Sequence, residues 1–295
     1  MTREPPHTLL YILIIGMVFL WAANFIVGKV VLRELPPILI GSMRIALAAF
    51  FIAPVYAWQQ KGRSWLNADW RYLAGLGVCG VAANQFFFIL GLSRTSVVHS
   101  VLIVSMTPIL VLVIAASIKQ ERITVQKAIG MLVAVSGVAI LNALPSTEPP
   151  GRGATLLGDF LIFLSGLTFA LFTVFGKQVS SRHSSITVNA FSYMSGAIAL
   201  APLMFWFGFD FHFERVSVTA WTSIAYMALF PSVVCYLIYY YALTYIPASR
   251  VAAFNYLQPL IATSLAVAAL GERVTWPLVA GGAVIFSGVY LTERG

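Results

Sequence analysis

Long apolar runs separated by short polar breaks make up almost the whole chain. A helix needs about 20 apolar residues to cross a lipid bilayer. The breaks contain turn-forming residues, as at Pro36-Pro37 and at Lys61-Gly62-Arg63. The runs lack the two-residue alternation of a membrane-spanning β-strand. The pattern therefore predicts ten membrane-spanning helices, at residues 8–31, 36–58, 70–92, 96–118, 123–143, 154–178, 185–208, 217–243, 248–270 and 274–292.

Part of this pattern occurs twice. A single ungapped offset of 151 residues joins a series of identical residues, which indicates an internal duplication. The pairs are Pro108 and Pro259, Glu121 and Glu272, Arg122 and Arg273, Thr124 and Thr275, Gly130 and Gly281, Ser136 and Ser287, and Gly137 and Gly288. Earlier in each half, Gly28-Lys29 matches Gly176-Lys177 at an offset of 148.

The duplication predicts how the two halves sit in the membrane. Each half has five spans, so the second half has to insert upside down relative to the first. Inverted repeats of this kind are typical of transporters, which bind substrate near the middle of the membrane between the repeats. We therefore expect an all-α integral membrane protein with a first repeat at 1–145, an outer linker at 146–153 and a second repeat at 154–295, packed as one membrane domain.

Composition and charge support the same class. Hydrophobic residues make up 60% of the chain and charged residues 9%, whereas about a quarter of the residues of a soluble domain are charged. The net charge of +8 is scattered over the breaks, so it indicates membrane topology and argues against nucleic-acid binding. Placing the N-terminus in the cytoplasm puts most Lys and Arg residues on that side. We expect a multi-pass protein of a bacterial-type inner membrane with both termini cytoplasmic.

At this point the sequence resembles a known family. The duplicated pattern of a proline followed thirteen residues later by Glu-Arg, together with Trp21-Ala22-Ala23-Asn24-Phe25 and Met43-Arg44, is similar to the drug/metabolite transporter superfamily in its ten-span, EamA-type branch. Within it, the chain is most similar to the YddG-type exporters of aromatic amino acids. The resemblance implies that spans one to four and six to nine surround the transport path. Spans five and ten would then lie at the periphery.

Polar residues inside the first and third spans are the first candidates for substrate binding. Trp21 and Asn24 share one helix face, and an amide facing lipid is costly. Asn24 either hydrogen-bonds substrate beside a stacking wall of Trp21, or it joins two helices. Asn84 and Gln85 lie in the middle of the third span, where each amide needs a partner. They either line the path or hold helices together.

In the ninth span, Asn255 and Gln258 share a face just before Pro259. A proline removes the hydrogen bond to the carbonyl four residues back, which here belongs to Asn255. Irregular backbone within a membrane is tolerated where it lines a cavity. Pro108 repeats the feature in the fourth span. We expect functional helix kinks at both prolines, the alternative being kinks satisfied by water or a neighbour.

Two basic candidates and a pair of tyrosines have weaker support. Arg44 either attracts a substrate carboxylate, or it reaches out to the interface or hydrogen-bonds to helix ends. His99 is a candidate gate or pH-sensitive residue, or a structural histidine. Tyr236 and Tyr240 share a face in the eighth span and are candidates for stacking on substrate. Lys29 and Lys177 are interpreted as interfacial anchors.

The sequence therefore predicts a secondary transporter that exports small metabolites, aromatic and other neutral amino acids first. No phosphate loop, metal-ligand spacing or catalytic triad is recognisable, so no enzyme activity, cofactor or metal is expected. Acidic residues avoid the middle of the spans, which predicts export without obligatory proton coupling. The expected partners are the substrate and membrane lipid, and a monomer suffices. Exporters of other metabolites or drugs, an intramembrane enzyme and a non-transporting scaffold remain alternatives.

Overall fold

The computed structural model describes residues 7–61, 69–95, 100, 103–141, 155–270 and 276–295. In these residues the chain folds into helices that overlap each of the predicted runs. The helices of the first half are α1 (His7–Val31), α2 (Pro37–Gln59), α3 (Trp70–Leu92), α4 (Thr107–Ser117) and α5 (Val125–Leu141). Those of the second half are α6 (Leu156–Ser180), α7 (Ser185–Gly208), α8 (Val218–Tyr245), α9 (248–270) and α10 (Trp276–Arg294).

Local sequence signals explain where several helices begin. Three of them start after a side chain that caps the first turn by accepting a backbone N–H. Thr155 caps α6, Ser184 caps α7 and Ser217 caps α8. Pro37 opens α2, a position where its missing N–H costs nothing.

Six of the described helices are long and apolar enough to cross a membrane, judged by length and composition. They are α1, α2, α3, α6, α7 and α8. The described helices also expose many large apolar side chains, including Phe50, Trp206 and Val218. A patch of this kind on a soluble surface would be unusual, whereas lipid covers it at no cost.

Helices from the two halves interleave instead of forming separate bodies. Helix α2 packs on α7, α3 on α6, and α1 on α8 and α9. Helix α5 packs along α10 through close glycine contacts, because a side chain at Gly130 would meet Thr292 and one at Gly288 would meet Ala134. Small residues that bring two backbones together are a common basis for helix association in membranes.

Helices α3 and α8 share an irregularity that the sequence analysis did not predict. Each contains a π-helical segment near its middle, at Val78–Ala83 in α3 and at Ala228–Val234 in α8. Helix α9 is also irregular, since a 3-10 segment at Phe254–Tyr256 separates its two α-helical parts. Such interruptions often mark functional positions. Residues within or close to all three, namely Asn84, Tyr236 and Asn255, line one cavity.

Candidate functional site

A cavity of about 90 Å³, open at its mouth, lies where the two halves of the chain meet. Its side chains come from α1, α2, α3, the start of α4, α6, α8 and α9. They are Trp21, Asn24, Phe25, Arg44, Asn84, Gln85, Phe88, Val104, Thr107, Ser165, Gly166, Phe169, Tyr236, Asn255 and Gln258.

Most of the candidate residues from the sequence meet in this cavity. The structure places Trp21, Asn24, Arg44, Asn84, Gln85, Tyr236, Asn255 and Gln258 in its lining. Tyr240 lies behind it instead, fully buried, with its ring over Gly176 and 5.2 Å from the ring centre of Phe172. His99 lies outside the described residues. Contact with substrate remains a prediction for all of them.

Helix α1 presents one satisfied and one unsatisfied polar side chain. The indole Nε1 of Trp21 donates a hydrogen bond of 2.9 Å to the carbonyl of Pro231, which fixes the ring against the π-helical segment of α8. Asn24 is only 6% exposed, and its Oδ1 has no hydrogen-bond partner among the described residues. A buried carbonyl oxygen without a partner is costly. A hydrogen-bond donor from outside the described residues is therefore needed to satisfy Asn24 Oδ1.

Helix α3 joins the two halves at the cavity. Asn84 follows directly after the π-helical segment, and its Nδ2 donates to the Ser165 carbonyl at 2.8 Å and to Ser165 Oγ at 3.0 Å. The side chain thus connects α3 to α6 while it lines the cavity. Asn84 therefore holds two helices together and also faces the cavity, while a role in the transport path stays a prediction.

The helix breaks in α4 and α9 differ from the predicted proline kinks. Helix α4 begins at Thr107 after a turn at 105–106, so Pro108 lies in its first turn. Pro259 lies in the first turn of the second α-helical part of α9. Each break precedes its proline, because proline fits the start of a helix, where no N–H donor is needed. The Asn255 carbonyl accepts from the Leu257 N–H, so the expected free carbonyl is not found.

The two breaks bring polar side chains to the cavity. Gln258 Nε2 donates to Asn255 Oδ1 at 3.1 Å, so these amides act as a pair. Thr107 is 3% exposed, and its Oγ1 has no partner among the described residues. Thr107 was not among the candidates from the sequence. Its signal was available, since Thr107 precedes Gln258 by the repeat offset of 151 residues.

Arg44 is the one charged residue that lines the cavity in the described part of the chain. It is 3% exposed, and its Nε donates to the Met227 carbonyl at 3.2 Å and to Ser232 Oγ at 2.9 Å. Among the described residues no carboxylate lies within ion-pair distance of the guanidinium. The side chain therefore points into protein and hydrogen-bonds to the backbone of a neighbouring helix, and it does not reach out to the interface. A buried cation without a counter-charge is costly unless a ligand supplies one.

Aromatic rings form the apolar part of the lining. The Trp21 ring centre lies 5.8 Å from those of Phe169 and Tyr236, in edge-on contacts. Phe25 and Phe88 form a second edge-on pair at 5.4 Å. Such pairs prefer edge-to-face packing because ring edges and faces carry opposite partial charge. Aromatic residues outnumber charged ones in the described lining.

Lys29 and Lys177 each contact the end of a neighbouring helix. Lys29 Nζ donates to the carbonyls of Leu92 and Thr95 at the end of α3, at 3.1 and 3.4 Å. Lys177 Nζ donates to carbonyls at the end of α8, at 2.5 Å to Leu243 and 2.8 Å to Ile246. Both ammonium groups cap a helix C-terminus, where unpaired carbonyls and the helix dipole favour a positive charge.

A bundle of apolar helices around a cavity with one buried cation, several amides and aromatic walls defines a membrane protein that handles small molecules. The family model of the EamA-like transporter family matches residues 8–143 and again residues 156–294. The chain belongs to this family.

Relatives and a solved structure agree with that assignment. An uncharacterized transporter of Archaeoglobus fulgidus is 27% identical over 286 residues, which cover 96% of each chain. A Salmonella typhimurium protein described as a probable amino-acid metabolite efflux pump is 24% identical over 95% of this chain and 93% of that one. A crystal structure with 16% identity and a TM-score of 0.76 over 96% of both chains has the same fold. The comparisons support small-molecule transport by a multi-pass membrane protein.

Proposed function

We propose that the protein exports small metabolites across a bacterial inner membrane, with aromatic and other neutral amino acids as its main substrates. The observation that carries this proposal is the cavity between the two halves. Five aromatic residues, six amide or hydroxyl residues on α1, α3, α4 and α9 and the cation Arg44 face one cavity. The Salmonella typhimurium relative, described as a probable amino-acid metabolite efflux pump, points the same way.

The proposed architecture is ten spans in two inverted repeats, 1–145 and 154–295, joined by 146–153, with both termini in the cytoplasm. The family model matches each half separately. Matched features recur in both halves, including the π-helical segments of α3 and α8 and the lysine caps at their ends. Alternating access follows from this architecture, because two inverted halves can expose a shared central site to either side in turn.

The proposed transport is not obligatorily coupled to protons. Among the described residues that line the cavity there is no Asp, Glu or His. Proton-coupled carriers place groups that load and release a proton within the path. Uptake into proteoliposomes with an imposed pH gradient and a clamped membrane potential tests this point. Accumulation above the equilibrium level, driven by the gradient, would refute it.

Counterflow in proteoliposomes tests the function itself. Vesicles containing the purified protein are loaded with an unlabelled amino acid, and the entry of the same labelled amino acid is measured. We expect exchange to be fastest for phenylalanine, tyrosine or tryptophan, slower for leucine, and near background for glutamate and lysine. Exchange at the background rate for every amino acid would contradict the proposal.

A further inference from the structure

We infer that the cavity binds both charged groups of a free α-amino acid, with Arg44 as the site of the carboxylate and Asn24 and Thr107 as acceptors for the ammonium group. This inference rests on the proposed function and specifies how its substrate is held. It assigns roles to a cation on α2, an amide on α1 and a hydroxyl at the start of α4, all of which line one cavity.

The carboxylate site follows from how Arg44 is held. Its two hydrogen bonds, to the Met227 carbonyl and Ser232 Oγ, both come from Nε. They fix the plane of the guanidinium and leave the two Nη groups to bind a ligand. A guanidinium fork matches a carboxylate in two parallel hydrogen bonds. Because no described carboxylate pairs with Arg44, a substrate carboxylate would be its counter-ion.

The ammonium site follows from two buried oxygens. Asn24 Oδ1 and Thr107 Oγ1 both lack a hydrogen-bond partner in the described part of the chain, and both residues are more than nine-tenths buried. An ammonium group is a donor of three hydrogen bonds and accepts none. Two neutral acceptors suit the ammonium group of a zwitterion, whose charge the neighbouring carboxylate already offsets. An amine without a carboxylate would meet the uncompensated charge of Arg44.

The same arrangement places the side chain of the substrate. Trp21, Phe169 and Tyr236 form an apolar wall, and the described lining offers no second charge. A charged side chain would lose its hydration there without a partner. The cavity therefore suits amino acids with uncharged, preferably aromatic, side chains.

Analogues of phenylalanine separate the two recognition steps in the wild-type protein. Competitors are added to phenylalanine counterflow: L-phenylalanine, its amide (no carboxylate), phenethylamine (no carboxylate) and 3-phenylpropionate (no ammonium). We expect the three analogues to compete about tenfold to hundredfold more weakly than L-phenylalanine, which is the usual effect of one lost charge-assisted hydrogen bond. If phenylalanine exchanges slowly, the matching analogues of the fastest amino acid are used.

Variants assign each step to its residue. In Arg44→Gln, the preference for phenylalanine over its amide should disappear, while competition by phenethylamine should remain or improve. In Asn24→Ala, the preference for phenylalanine over 3-phenylpropionate should fall about tenfold. Arg182→Gln, which removes an exposed arginine in the loop after α6, is the matched control and should behave as wild type.

The outcomes distinguish this inference from the proposed function. If the amide or 3-phenylpropionate competes in wild-type counterflow as strongly as L-phenylalanine does, the proposed transport stands. Recognition of the zwitterion is then refuted. If Arg44→Gln keeps its preference for phenylalanine over the amide, the role of Arg44 is refuted. If neither variant folds, the wild-type comparison with the analogues still decides. If no amino acid or analogue exchanges, the proposed function fails with it.

Discussion

The first and second halves of the chain share a frame and differ in what they present to the cavity. The frame agrees in detail: Lys29 caps Leu92 and Thr95, and Lys177 caps Leu243 and Ile246, which are the residues 151 positions further on. The π-helical segments of α3 and α8 also coincide at nearly this offset.

The cavity is where the two halves diverge. At an offset of 148 residues, Asn24 corresponds in sequence to Phe172, and Arg44 corresponds to Ser192. At 151, Gln85 corresponds to Tyr236. In α4 and α9, Val104 is matched to the polar Asn255, and Thr107 is matched to Gln258, which is also polar. The duplication thus preserves backbone irregularities and helix caps, while side chains at and around the cavity differ between the two halves.

Among the matched pairs, Arg44 and Ser192 differ most, so replacing Arg44 should have the largest effect on counterflow. Arg44→Ser places in α2 the residue that α7 has at the matched position. We expect phenylalanine counterflow to fall roughly a hundredfold, because the carboxylate loses a charge-assisted partner. Ser192→Ala in the second half should change it less than twofold. Equal losses in the two variants would show that the cation in α2 has no special role.

A second pair of variants compares the aromatic wall of the cavity with its polar groups. Tyr236→Leu removes one ring from the wall formed with Trp21 and Phe169. We expect the rate for phenylalanine to fall about threefold to tenfold relative to leucine, which is the range of one aromatic pair. Gln85→Leu, at the matched position, should slow both amino acids alike. A Tyr236→Leu variant that kept the wild-type ratio would contradict the proposed wall.

The frame was more predictable from the sequence than the site. Apolar runs define spans because length and hydropathy act over many residues at once. The π-helical segments were not predicted, because they depend on contacts across the fold, such as Gly80 of α3 against the Phe172 ring of α6. No local pattern in α3 specifies that neighbour.

Within the site, polar residues were easier to find than the others. An amide or guanidinium in a span needs a partner, so Asn24, Arg44 and Asn84 were recognisable. Phe169 was missed because an apolar residue in a span has an ordinary packing explanation. Tyr240 was included because it shares a face with Tyr236. One helical turn of about 5.4 Å takes it beyond the cavity to Gly176.

Two carboxylates, those of Glu121 and Glu34, connect loops of the first half to helices of the second half. We expect the more buried carboxylate to contribute more to the free energy of unfolding. Glu121 accepts from the Ser249 N–H at 3.1 Å, from Ser249 Oγ and from Lys127 Nζ at 3.0 Å, and is almost fully buried. Glu34 accepts two bonds of 2.7 Å from Ser217 and is exposed. At pH 7, Glu121→Gln should lower the free energy of unfolding by about 2 kcal/mol, because Lys127 loses its counter-charge. Glu34→Gln should have a much smaller effect.

The effect of Glu121 should also depend on pH. Burial raises the pKa of Glu121, but the hydrogen bonds from Ser249 and the Lys127 ammonium group lower it more, so it lies below the ordinary value of 4.5. A lowered pKa stabilises the fold above pH 4.5, and this contribution is lost as the pH falls through the folded-state value. Thermal unfolding in detergent should show the wild-type and Glu121→Gln midpoints converging below pH 4.5. A constant difference down to pH 3 would argue against a charged Glu121.

The smallest effects are expected at the matched lysine caps, where they test the shared frame directly. Replacing either lysine by methionine keeps the apolar stem and removes the charge that faces the last carbonyls of α3 or α8. Each loss should cost about 1 kcal/mol, a usual value for a cation at a helix C-terminus. Lys177→Met should cost more than Lys29→Met, because its bonds of 2.5 and 2.8 Å are shorter than those of 3.1 and 3.4 Å. Arginine at either position should restore most of the stability, since it keeps the charge. Thermal unfolding in detergent measures all four variants, and phenylalanine counterflow should change little. If only one lysine mattered, the caps would be a local feature of one half, and the equivalence of the two halves would lose its most detailed support.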